Sequence, residues 1–333
     1  MHFKKLGIYL ALLSGAILGN PAVAQDFPNK PIRMVVGFPP GGGIDQLARI
    51  LAEGMSSQLG QNIVVDNKPG AGTAIASAEI MRAPNDGYTI GLGNVGQFSV
   101  LEHISKQPIV DLPNKLTPIG QVGYAPLALF VPATLNVNST AEYLNLLKSQ
   151  PNALSYASGG NGQITHLAFE MLKSEAQVKI QHIPYKGSGP ALIDLMAGRV
   201  VGMIDALGAG MPHVKSGKLK VLALTAADRA PEFQTIPTFR EAGLKNYVVT
   251  GWQGMVAPLN TPAAVVQRLN RALNETLNKK EIRDKMVGLG YYPTPTTPDQ
   301  FGVFMKAESV RWGALCKELR LSLIDVQYLW LWN

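Results

Sequence analysis

The sequence predicts two α/β domains, each a mainly parallel sheet flanked by helices, facing one another across a cleft. Three observations carry that expectation. Strand and helix patterns alternate in two separate series, a glycine loop recurs at a matching strand-to-helix junction in each, and 333 residues exceed what one such domain commonly needs. With 46% hydrophobic residues there is material for two cores.

The chain opens with MHFKK, a positive end, followed by the apolar run LGIYLALLSGAILG and the small-residue site Ala22-Val23-Ala24. Residues 1–24 therefore read as a secretory signal peptide cut between Ala24 and Gln25, with a retained N-terminal anchor as the alternative. No cysteine stands near the cut, so a lipid anchor is not expected. Beyond it no run approaches the ~20 apolar residues of a membrane-spanning helix.

The first series begins with PIRMVVGF (31–38), a buried strand, and PPGGGID, a tight turn. DQLARILAEGMSSQLG (45–60) has helical periodicity closed by Gly60, NIVVDNKPG (62–70) is a strand and turn, AGTAIASAEIMRA (71–83) a helix and DGYTIGLG (86–93) a strand. Strand and helix in alternation at this spacing imply βαβ units with right-handed crossovers.

The second series runs PLALFVPA (126–133) strand, STAEYLNLLKSQPN (139–152) helix capped by Ser139 or Thr140, LSYASGGNG (154–162) strand and glycine loop, and QITHLAFEMLKSEA (163–176) helix. It continues with KIQHIPY (179–185) strand, GPALIDLMAGR (189–199) helix, VGMIDAL (201–207) strand, MPHVKSGK (211–218) short helix and LKVLALTA (219–226) strand. WQGMVAP (252–258) then leads into two helical stretches, 261–290 and 297–320, the first capped by Thr261 with Pro262 at its first position.

Composition narrows the function classes. Cys316 is the single cysteine, so no intrachain disulfide framework exists. The formal charge is +7, and Lys4 and Lys5 of the removable segment carry two of those charges, leaving +5. That is a weak bias toward anionic partners. Only 16% of residues are charged and no basic cluster is interleaved with aromatics, which disfavours nucleic acid.

The glycine loops at 41–43 and 159–162 each follow a strand and precede a helix. Glycines there uncover consecutive amide N–H groups, and a helix N-terminus adds unpaired N–H donors with a partial positive charge, which suits a carboxylate or phosphate. Neither loop carries G-K-[ST] or the G-x-G-x-x-G spacing, so neither is a nucleotide motif. Two such loops at the carboxyl ends of strands, in opposing domains, would line one cleft. Two ordinary tight turns are the plainer alternative.

No metal or catalytic set stands out. His103, His166 and His182 lack metal-ligand spacing, and no cofactor is expected. A Ser158–His166–Asp205 hydrolase is conceivable, but Gly159-Gly160-Asn161-Gly162 lacks the central serine of a nucleophile elbow. His166 reads equally as an orienting group or as packing beneath the loop, and Asp205 as a cleft residue or the cap of the following turn. Asp45 is expected to cap the first helix, Lys186 to add positive potential, and Trp252, between Gly251 and Gly254, to pack a hinge.

Taken together, PPGGGID (39–45), DNKPGAG (66–72), APNDGYTIGLG (83–93), GNGQITHLAFEML (160–172), IPYKGSGPALIDLMAGRV (183–200), GKLKVLALT (217–225), IPTFREAG (236–243) and WQGMVAPLNTPAAVVQRLN (252–270) resemble the periplasmic solute-binding proteins of the tripartite tricarboxylate transporter family. The likeness spans nearly all of the chain after the signal. It implies a two-domain, type II-like periplasmic-binding-protein (Venus flytrap) fold in which 25–125 plus 252–333 form a discontinuous first domain and 126–251 the second. It implies a periplasmic, non-enzymatic, monomeric receptor that takes a small carboxylate and hands it to membrane permease subunits, with presentation to a sensor kinase as the alternative. The ligand-binding positions it carries over are Pro40, Gly41, Gly42, Gly43, Ile44, Asp45, Gly70, Ala71, Gly72, Ser158, Gly160, Asn161, Gly162, Gln163, His166 and Asp205.

Three departures stand out. Ile44 and Gln163 occupy places where the family carries small hydroxyl residues, and an Ile44 facing the pocket would add an apolar wall and favour a ligand with an apolar part. The ending SLIDVQYLWLWN (322–333) replaces a short polar terminus.

Overall fold

The computed structural model describes residues 27–104, 111–229 and 233–318; the expected signal segment and the aromatic ending lie outside the described residues. Two sheets share one long strand. In the first lobe β1 (Ile32–Val36) lies between β2 (Ile63–Asn67) and β3 (Thr89–Asn94), all parallel, as the alternation of the first series requires. In the second, β5 (Ser155–Ser158) lies between β6 (Gln181–Pro184) and β7 (Gly202–Ala206), again parallel.

Antiparallel strands join the two. β4 (Leu116–Pro132) pairs with β9 (Thr250–Pro258) from Leu116 to Pro126, then with β7 and β8 (Leu219–Leu224) from Leu127 onward. A short β10 (Tyr292–Pro293) also pairs with β4. The sequence pattern shows only the second half of β4, because Pro118, Gly120 and Gly123 depress strand propensity in the first half. Packing explains those residues. A Cβ on Gly123 would meet the Tyr292 carbonyl at 2.6 Å, and register shifts at Pro118/Gly120 and Gln121/Gly123 mark bulges that bend the strand.

The helices cover both sheets. α1 (Gly43–Leu59) buries Leu47, Leu51 and Met55 in a core shared with Met34, Leu269 and Leu273. α2 (Ala74–Arg82) follows a single 3-10 turn at Ala71–Thr73, and a π-helical turn, Gly96–Val100, leads into α3 (Leu101–Ile104). α4 (Leu112–Lys115) precedes β4, and α5 (Thr140–Ser149) is capped by Ser139, whose hydroxyl accepts from the Glu142 amide at 3.2 Å. The second sheet carries α6 (Ile164–Ala176), α7 (Ser188–Met196) and α8 (Leu207–Lys215).

α8 starts at Leu207, four residues ahead of the expected stretch, because Gly208 and Gly210 are helical residues packed against other groups; a Cβ on Gly210 would lie 2.3 Å from the Phe130 ring. The 261–290 stretch is two helices, α9 (Ala263–Asn278) and α10 (Lys280–Gly288), broken at the extended Lys279. Thr261 does not cap α9: its hydroxyl donates to the Pro258 carbonyl at 2.8 Å and Pro262 takes the cap position.

The C-terminal α11 (Pro298–Glu318) returns onto the first lobe. There the buried Glu308 accepts from the indole N–H groups of Trp252 and Trp312, both at 3.0 Å. Trp252 also meets Phe98, Phe301 and Phe304, so it packs where the chain returns to the first sheet. Cys316 is buried and free, and burial raises its thiol pKa to about 11.

Candidate functional site

Five helices begin where parallel strands or their turns end: α1, α2, α6, α7 and α8. None has a side-chain N-cap hydrogen bond. Their first-turn amides therefore keep donors that the helix itself cannot satisfy.

In the first lobe, Pro40, Gly41, Gly42 and Gly43 are exposed, with Gly41 at φ 82°. Asp45, buried in the first turn of α1, holds the loop: it accepts from the Gly41 amide at 2.9 Å, from Arg49 Nε and Nη2 at 3.0 Å and from Asn67 Nδ2 at 2.9 Å. These hydrogen bonds outweigh its desolvation and keep its pKa low. Asp45 thus supports the turn from the N3 position, while Gly42 is the cap residue. Ile44 is buried in the first-lobe core with Leu47 and Met34, and that packing accounts for an apolar side chain at this position.

The Gly70–Gly72 turn is backbone-strained. Ala71, Gly72 and Thr73 have φ of 47°, 61° and 84° in succession, and positive φ is unfavourable for a β-branched residue such as Thr73. Strain of this kind persists where surrounding structure enforces it and gathers at ligand sites. The buried Thr73 Oγ1 has no hydrogen-bond partner among the described residues, and neither does Gln97 Oε1 or Gln253 Oε1 nearby in the same lobe.

The second lobe supports its loop differently. Ser158 is fully buried; its Oγ accepts from the Gly160 amide at 3.1 Å and shares a 2.7 Å hydrogen bond with His182 Nε2. His166 Nδ1 accepts from the Gly162 amide at 3.2 Å, and the His166 and His182 rings stack at 4.0 Å. Beneath them Glu170 accepts from Tyr156 at 2.5 Å and Lys173 at 2.7 Å. Burial, with His166 and Lys173 nearby, lowers the His182 pKa to about 3, so its ring is neutral at neutral pH. The serine–histidine pair is therefore Ser158–His182, not Ser158–His166. With the hydroxyl fully buried and spent on the loop, it positions Gly160 and is not presented as a nucleophile.

The lobes meet on both sides of these turns. A Cβ on Gly162 would lie 2.1 Å from Ile104 Cδ1, and one on Gly96 would lie 3.6 Å from Gln163 Oε1, so Gln163 faces the first lobe. Asn161 shares this half-buried loop. On the other side a Cβ on Gly208 would meet the Leu289 carbonyl at 2.5 Å. Tyr291 bridges the two regions: its hydroxyl would be 2.7 Å from a Cβ on Gly43, and the charge of Asp205 raises its pKa further above the effect of burial.

Asp205 itself is the penultimate residue of β7 and is buried, its Oδ1 accepting from the Ala206 amide at 2.8 Å. Lys186 is exposed beside Gly187, the cap residue of α7. The structure thus brings the second loop to Gly96 and Ile104, and the first loop through Tyr291 to Asp205. Tyr291 and Gly96 have no sequence signal of their own, and His182 stands in the sequence only among histidines without metal-ligand spacing. Nothing in the letters around Tyr291 announces its position.

Among the described residues no group of three or more His, Cys, Asp or Glu side chains forms a metal site, and no helix is long and apolar enough to cross a membrane. The chain matches the family described as tripartite tricarboxylate transporter family receptor (TctC) over residues 47–321. It is 34% identical to protein BugT of Bordetella pertussis, covering 96% of this chain and 97% of that one. The periplasmic binding protein BugD has the same fold with a TM-score of 0.81 and 33% identity, over 89% of this chain and 99% of that chain. An R. palustris protein solved with adipate superposes with a TM-score of 0.84 at 32% identity, again over 89% and 99%.

Proposed function

The chain belongs to the tripartite tricarboxylate transporter receptor family, a family of solute-binding receptors and not of enzymes, and from that premise we propose that it captures a small carboxylate between its lobes and delivers it to membrane permease subunits. The observation that carries this reading is the set of five uncapped helix N-termini at strand ends, two of them opening at the glycine turns. Such termini attract an anion through preorganised N–H donors and need no buried cation to do so.

A solute held by both lobes favours the closed arrangement because it binds that state more tightly. Adipate in a structural relative fits a carboxylated solute of modest size. We assign Gly41 to Gly43, Gly70 to Gly72 and Gly160 to Gln163 to the grip, with Asp45, Ser158 and His166 holding those turns in shape. We place the lobe boundaries at 125/126 and 251/252, and assign residues 1–24 to export into the periplasm. The same capture would serve a sensor kinase, but the family description favours the permease.

Calorimetric titration with a panel of mono-, di- and tricarboxylates tests the reading. One-to-one saturable binding without consumption of the ligand is expected. A panel with no binder, or a ligand converted to product, contradicts it.

A further inference from the structure

We propose that Asp205 reads a hydrogen-bond donor on the captured solute, so that the site selects carboxylates bearing an ammonium or hydroxyl group over the plain acid of the same skeleton. This rests on the carboxylate reading above and narrows it.

Asp205 is 3% exposed. One oxygen, Oδ1, accepts from the adjacent Ala206 amide, while Oδ2 has no hydrogen-bond partner among the described residues. The Ser188 side chain, at the start of α7, lies near enough to lower the carboxyl pKa, yet it closes no hydrogen bond on Oδ2. Tyr291, in the other lobe, lies within electrostatic reach of the carboxyl. No lysine, arginine or histidine forms an ion pair with it among the described residues, and burial raises its pKa to about 6. Buried carboxylate oxygens are ordinarily paired, and an unpaired one costs free energy unless a ligand completes it.

The surroundings sharpen the point. Around Asp205 the helix N-termini of α7 and α8 are donors, suited to a solute's acid group. An acceptor among donors is complementary to a solute carrying both signs of hydrogen-bonding group. A plain diacid would set carboxylate against carboxylate, which disfavours ionisation of one of them. A solute ammonium forms a charge-assisted hydrogen bond there, and a hydroxyl forms a neutral-to-charged one.

The test is calorimetry on the full chain at about pH 7.5 with two matched sets: adipate, 2-hydroxyadipate and 2-aminoadipate; succinate, malate and aspartate. Within the skeleton that fits, at least one donor-bearing member is expected to bind about tenfold or more tightly than the plain acid. Tighter binding of the amino acid identifies an ammonium, and of the hydroxy acid a hydroxyl. Asp205→Asn should cut the ammonium advantage to roughly threefold or less, since the amide carries no charge, and Asp205→Ser should reduce either advantage if the first variant misfolds. Equal affinities within both sets, or an advantage that survives both substitutions, overturns the inference and leaves the receptor reading standing. Failure of all six together with the wider carboxylate panel overturns both.

Discussion

The two glycine turns are alike in letters and unlike in support. The first is exposed and tied from below by Asp45, which bonds the Gly41 amide, Arg49 and Asn67. The second is half-buried and rests on the stacked His166 and His182 rings, with Ser158 and His166 accepting directly from the Gly160 and Gly162 amides. A buried carboxylate paired with Arg49 serves one lobe, and a serine hydroxyl and an imidazole nitrogen serve the other. The difference teaches that presenting amides to an anion constrains the backbone, while the means of holding that backbone is free to vary.

The largest expected effect belongs to the second lobe. Burial raises the Asp205 pKa from 3.8 to about 6, so the folded state holds a proton more tightly than the unfolded chain. The stability contributed by Asp205 should therefore fall as pH rises from about 4 to about 6, by about 3 kcal/mol, and level off above. His182 opposes this: its pKa is depressed to about 3, so its contribution is full above about 6.5 and is lost as pH falls toward 3. Denaturant unfolding of Asp205→Asn across this range should show the acid-side loss due to His182 without the compensating gain. A pH profile identical to that of the wild type would remove Asp205 as the source.

Next in size is closure. Gly208 leaves no room for a side chain against the Leu289 carbonyl, at 2.5 Å from its Cβ position. Gly208→Val should disfavour the closed state and weaken solute binding by roughly a hundredfold, read by calorimetry. Unaltered affinity would mean that the lobes do not need this contact.

How much of this was legible in the sequence follows from the range of the interactions involved. The βαβ runs and their helix starts are local, so β1, α1, β5 and α6 could be placed from periodicity and turn residues alone. The first half of β4 could not, since its Pro and Gly residues are accommodated by Tyr292 and Asn270, far along the chain. Within the site the glycine turns were visible because glycine reports a backbone requirement. Their supports are less so: the bond between His182 and Ser158 depends on β5 and β6 pairing in register, which the spacing of the histidines does not reveal. Tyr291 depends on the lobes coming together, and the burial of Ile44 in the first-lobe core depends on packing that the letters of the turn do not show.

Two smaller effects concern the first lobe. Asp45→Ala should cost about 1–2 kcal/mol in denaturant unfolding, because the Gly41 amide and Asn67 lose their acceptor while the half-exposed Arg49 is rehydrated. A cost well below this would mean that the turn holds itself. Ala71→Gly relieves a left-handed residue at φ 47° against a greater unfolded-state entropy, and should stabilise by about 0.5 kcal/mol in the same assay. Destabilisation would show that the alanine methyl is needed where it is.

A crystal structure of the protein purified from cells with its retained solute tests the account most directly. A carboxylate lying between the lobes, its oxygens within hydrogen-bonding distance of amides at both Gly41–Gly43 and Gly160–Gln163, is the predicted result. A solute without an acid group, or one held by a single lobe, would contradict it.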